Sequence, residues 1–169
     1  MPQYLEKFEF SKKPDDLNYI DGDPLKLNNE FNFFHNKNKF RKELNRLQYV
    51  FKKFTGIPLV ASGIRDTYLK EEYTENNLLV LFTDNQIVKN ANNILQKNLK
   101  RAISAGCYFI SASSEYILLI AKDMDGLILG VDLLEELFTQ VFEHYMEQKK
   151  FDEYVTIRQF NALGCSKSQ

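Results

Sequence analysis

The acidic side chains Asp66, Glu71, Glu72 and Asp84 are the first residues of this chain whose type and placement could do chemistry. The first three fall in the long polar connection before the apolar run Leu78–Phe82, and Asp84 closely follows that run. A carboxylate at the carboxyl end of a strand is where many α/β enzymes hold a nucleophile or a magnesium ion, and long loops carry active sites more often than short ones do. The same positions have plainer uses. Asp84 precedes a helical pattern and reads as its cap, and the charged connection reads as a solvated loop.

Other chemistry lacks partners. Asp123, Asp125 and Asp132 do not follow the spacing of a calcium loop, because Leu127, Leu129 and Val131 occupy ligand positions. These aspartates read as a turn and a helix cap. His144 with Glu147 is too small a set for zinc, and His35 has no acid or cysteine near it. No metal and no cofactor is expected. The cysteines Cys107 and Cys165 fall in an apolar run and a polar tail, too few for a disulfide framework, and are expected as reduced thiols.

Charge supplies the next candidates. Lys39, Arg41, Lys42 and Arg46 belong to a cationic stretch that could bind anions, although the net charge of −1 argues against a protein built around nucleic acid. Nucleic-acid binding through the basic helices is kept as an alternative. Balancing acids come late, at Glu135, Glu136, Glu143, Glu147, Asp152 and Glu153, which gives a basic front and an acidic back suited to complementary packing or a charged partner. Asn90, Asn93, Lys97, Lys100 and Arg101 form an acid-free surface, and Phe31, Phe33 and Phe34 are costly to leave in water. These eight residues are expected to meet a partner.

The elements that must position these groups follow from period and punctuation. With 169 residues, 44% of them hydrophobic, the chain fits one globular core. Residues 1–36, broken by Pro2, Pro14 and Asp21-Gly22-Asp23-Pro24, read as an extended arm lying against it. Phe40, Leu44, Leu47, Phe51 and Phe54 mark a helix over 37–54, ended by Gly56 and Pro58. Strands are expected at Ile57–Ile64 and at Leu78–Phe82, then a helix over 87–103. A hairpin of Cys107–Ala112 and Tyr116–Ala121 follows. Asp125-Gly126 reads as a turn, Leu127–Val131 as a fifth strand, and the last helix as opening at Asp132 with Glu135 completing a capping box.

The fold class is therefore α/β of the α+β type, a single mainly antiparallel sheet of about five strands with helices on both faces, in the order α-ββ-α-ββ(β)-α. Its domain spans 37–160, and 161–169 is a flexible tail. No run is long and apolar enough to cross a bilayer, so no membrane span and a cytoplasmic location are expected.

This element order, and above all Glu115–Ala121 followed by Asp125–Gly130, resembles the roadblock and longin group of scaffold domains, with GAF-like and profilin-like domains as alternatives. The resemblance implies a non-catalytic regulatory module that binds a protein partner or itself as a homodimer. The alternatives are a small-molecule sensor pocket lined by residues such as Tyr108 and Tyr116, and an enzyme using carboxylates of the 65–84 connection.

Overall fold

A computed structural model of the chain describes residues 5–27, 32–35, 41–55, 61–63, 77–82, 103–114, 116–148 and 155–166. The strands are β1 Asp16–Tyr19, β2 Leu25–Leu27, β3 Asn32–His35, β4 Ala61–Gly63, β5 Asn77–Phe82, β6 Cys107–Ala112, β7 Tyr116–Ala121, β8 Val155–Ile157 and β9 Phe160–Cys165. The described helices are α1 Arg41–Thr55 and α2 Met124–Gln148. Seven strands join one sheet in the order β1-β9-β6-β7-β5-β3-β4, while β2 and β8 form a separate two-stranded ribbon.

The α/β class stands, but the sheet is mixed. From β1 to β7 its pairs are antiparallel, and from β7 through β5 and β3 to β4 they are parallel. The single five-stranded antiparallel sheet is thus corrected to seven strands plus a ribbon. Three of the strands come from the stretch expected to be an arm, and β9 takes an inner place between β1 and β6 where a flexible tail was expected over 161–169.

The hairpin forms as its pattern requires. Tyr108 stands opposite Ala121 and Ala112 opposite Ile117, with the Ser113 N–H donating to the Tyr116 carbonyl at 2.9 Å. Tyr108, Ile110, Ala112, Ile117, Leu119 and Ala121 face the core built with α2, joined by Phe160 and Ala162 of β9. The alternate residues Phe109, Leu118 and Ile120 are also buried, which explains strands that are largely apolar on both faces instead of alternating. Tyr108 and Tyr116 consequently lie on opposite faces. They do not line one sensor pocket.

The helix α2 replaces both the expected fifth strand and the later helix. Its buried stripe, Leu127, Val131, Leu134, Phe138 and Val141, repeats at four- and three-residue steps. Asp123 caps it: Oδ1 accepts the Gly126 N–H at 3.0 Å, and the Leu127 N–H donates to the Asp123 carbonyl at 3.0 Å as the first helical bond. The same carboxylate accepts the Gly106 N–H at 2.8 Å, tying the turn before β6 to the start of the helix. Gly126 is a contact and not a turn, since a Cβ there would press into the Cys107 carbonyl, with the carbonyl carbon 2.7 Å away. Asp132 and Glu135 are therefore mid-helical and cap nothing.

The amino-terminal stretch is stitched to α2. Glu9 and Gln140 exchange hydrogen bonds, the backbone N–H to Oε1 and Nε2 to the backbone carbonyl, both at 2.9 Å. Phe8 and Phe10 are buried, and Phe8 meets Phe160 edge-on at 5.3 Å between centroids. Arg158 donates to the Glu6 carbonyl at 2.7 Å and lies over the Tyr19 ring. Buried aromatic surface and paired backbone groups hold this segment in place.

Candidate active site

A cleft of about 340 Å³ opens where five parts of the fold converge. Ser11, Lys12 and Lys13 come from the amino-terminal stretch, Arg46 from α1, Tyr108 from β6, and Gly164 and Cys165 from β9. Its remaining wall is one flank of α2, formed by Leu129, Asp132, Leu133, Glu135 and Glu136. The helical spacing of 129, 132, 133 and 136 puts these residues on a common face.

Arg46 organises the carboxylates. Its Nη2 donates to Asp132 Oδ1 at 2.6 Å and to Glu135 Oε1 at 3.1 Å, while Nε donates to Glu135 Oε2 at 3.1 Å. The paired bonds to Glu135 form the fork geometry that suits a guanidinium to a carboxylate. Glu135, with Asp132 adding, holds Arg46 in its charged form against partial burial. The pairs are partly exposed, 38% for the arginine side chain against 50% and 36% for the acids, so they orient groups more than they stabilise the fold. Glu136 is held differently, accepting from the Ser11 backbone N–H at 3.2 Å and from the Ser11 hydroxyl.

Tyr108 enters from below. Its ring is buried, 4% exposed, and burial pushes its phenol above the usual tyrosine range, with Asp15 and Glu136 adding to the effect. Gly164 lies directly opposite in register and makes room for the ring, since a Cβ there would stand 2.5 Å from the hydroxyl. Cys165 and Cys107, the next opposed pair, are joined by a disulfide. The expected free thiols are corrected because β9 brings positions 58 residues apart into register.

The candidates read from sequence distribute unevenly. Asp66, Glu71, Glu72, Asp84, Asn90, Asn93, Lys97, Lys100, Arg101, Phe31 and Lys39 lie outside the described residues. Phe33 and Phe34 fall in β3 and Arg41 in α1, their side chains undescribed, and Lys42 is exposed. Of the cationic set, Arg46 reaches the cleft, already engaged by two acids. Asp132, Glu135, Glu136, Lys12 and Lys13 were missed as site residues. The available signal was the basic front and acidic back, which meet here as complementary packing. Among the described residues no group of acids, histidines and cysteines is placed to hold a metal.

A scan against protein-family models finds no match, and a search of curated proteins finds none either. Solved structures do match. CpGH84D is similar over 96% of this chain and 24% of its own, with a TM-score of 0.64 and 17% identity. The Flavobacterium johnsoniae chitobiase FjGH20 is similar over 90% of this chain and 20% of its own, with a TM-score of 0.53 and 14% identity. CpGH84B is similar over 94% and 22%, with a TM-score of 0.55 and 11% identity.

The chain shares its fold with part of each of these structures. At such identities the likeness is one of fold, and the chain spans less than a quarter of the length of each. The expectation of a roadblock- or longin-like scaffold is corrected by these matches, as is the regulatory, non-catalytic reading that came with it. The balance drawn against an enzyme is corrected on the same ground, because the fold recurs in GH20 and GH84 structures.

Proposed function

We propose that the chain is a module of a carbohydrate-active enzyme that works on N-acetylated amino sugars, with Asp132, Glu135 and Glu136 as its carboxylate set. One observation carries the reading: nearly the whole chain matches part of CpGH84D. The chitobiase match supports the substrate class. Glycoside chemistry runs on carboxyl groups placed about a sugar ring, and this cleft collects three on one helix flank. Arg46 fixes Asp132 and Glu135 as hydrogen-bond acceptors for sugar hydroxyls, while Glu136 stands on Ser11 instead.

The test is turnover and binding together. The protein is incubated with 4-nitrophenyl N-acetyl-β-glucosaminide, and its two-dimensional NMR spectrum is recorded with and without chitobiose. Nitrophenol release that falls with Glu136→Gln, or sugar-induced shifts at the cleft, is the expected outcome. Neither release nor shifts at millimolar sugar would overturn the reading.

Compartment and partners belong to the same proposal. No described helix is long and apolar enough to cross a membrane. A cytoplasmic location was expected from sequence, but the Cys107–Cys165 bond favours an oxidising compartment. Trapping of free thiols in intact cells reads this directly, and two trapped cysteines would restore the cytosol. Self-pairing and nucleic-acid binding gain no support from the cleft, where Arg46 is neutralised by its own carboxylates.

A further inference from the structure

We infer that the cleft is a subsite for one neutral sugar ring and that the Tyr108 hydroxyl is the hydrogen-bond donor aimed at it. This rests on the carbohydrate reading above and assigns it a place and a donor. Tyr108 is 4% exposed, its ring belongs to the core cluster, and it lines the cleft. Among the described residues its hydroxyl makes no hydrogen bond. Its oxygen is not among the buried atoms left without a partner, so it is open to the cleft, where a ligand can reach it, whereas a phenylalanine would fill the same core volume with no donor to offer.

The wall around it selects the ligand. Lys12, Lys13 and Arg46 face Asp132, Glu135 and Glu136, so the lining carries three cations and three carboxylates. A balanced lining of donors and acceptors suits a neutral polyol better than a phosphate or a metal ion, which need charge of one sign. Sugar hydroxyls donate to Glu136 and Asp132 and accept from Lys12, Lys13 and the tyrosine. Leu129 and Leu133 offer apolar surface to the C–H face of a pyranose. The volume, about 340 Å³, is at the small end of the roughly 300–1,000 Å³ of ligand sites and suits a single sugar ring. Burial keeps the phenol protonated, hence a donor, across ordinary pH.

Titration of the protein and of its Tyr108→Phe variant with N-acetylglucosamine and chitobiose tests the assignment, with calorimetry for affinity and NMR for location. The unmodified protein is expected to bind, with shifts centred on Tyr108, Glu136 and Gly164. The variant keeps its far-ultraviolet dichroism and its melting temperature, and its affinity falls about threefold to tenfold for one lost hydrogen bond. Undiminished binding by Tyr108→Phe, or shifts centred elsewhere, overturns the subsite and leaves the carbohydrate reading intact. Absence of any sugar binding or turnover by the unmodified protein overturns both. Tighter binding of inorganic phosphate than of either sugar, with shifts at the same residues, overturns the neutral-ligand assignment.

Discussion

Tyr108 combines a core ring with a hydroxyl at the cleft, and its ionisation reports that placement. Burial raises its phenol above the ordinary tyrosine value, first through desolvation and then through Asp15 and Glu136. Above about pH 10 the unfolded chain ionises this phenol while the folded protein keeps it protonated, so the unfolded state binds fewer protons. The stabilisation is complete below that pH and is lost as pH rises through the interval up to the folded value. Urea midpoints measured from neutral to strongly alkaline pH should fall more steeply for the unmodified protein than for Tyr108→Phe. Parallel curves would show that the phenol is solvated. Little of this was legible in sequence: Tyr108 was named as a pocket residue, but paired with Tyr116, which the two-residue period of its strand places on the other face. Arg46 was read as an anion site because its acids lie about ninety positions away, as the separation of 89 to Glu135 shows.

Among the elements, α2 departs most from its sequence pattern, and glycine is the reason. Asp125-Gly126 is a turn signal in local chemistry, yet here Gly126 lets the first turn of the helix lie on the Cys107 backbone. Alanine is ordinarily better than glycine inside a helix by roughly 0.5–1 kcal/mol. At this position the order reverses. Gly126→Ala should destabilise the protein by about 1–3 kcal/mol through overpacking, read as a lower urea midpoint at unchanged slope. A stabilised variant would mean that α2 does not approach β6 this closely. The hairpin of β6 and β7, by contrast, was readable to the residue, because two apolar runs flanking a short Ser-rich turn can bury themselves only by pairing. The capping reading was right in kind and displaced in position, from Asp132 to Asp123.

At the scale of the whole fold, segments distant in sequence close the structure. The amino-terminal stretch binds α2 through Glu9 and Ser11, β1 pairs with β9, and Cys165 of β9 bonds Cys107 of β6. A cross-link between positions 58 apart restricts the unfolded chain, and reducing it should cost about 2–4 kcal/mol of stability. Denaturant curves with and without dithiothreitol check this, and coincident curves would show that the thiols are not paired. Because Cys165 also lines the cleft, reduction should weaken sugar binding as β9 loosens. Composition and periodicity by themselves determined an α/β core, the apolar β5, the β6–β7 hairpin and the amphipathic α1, because these depend on contacts within a few residues. The parallel β3-β5-β7 pairing, the inner place of β9, the disulfide and the convergence of Arg46 on Asp132 and Glu135 were decided by tertiary structure alone. Each joins segments too far apart for any local pattern to encode their meeting, and the cleft exists only where they meet.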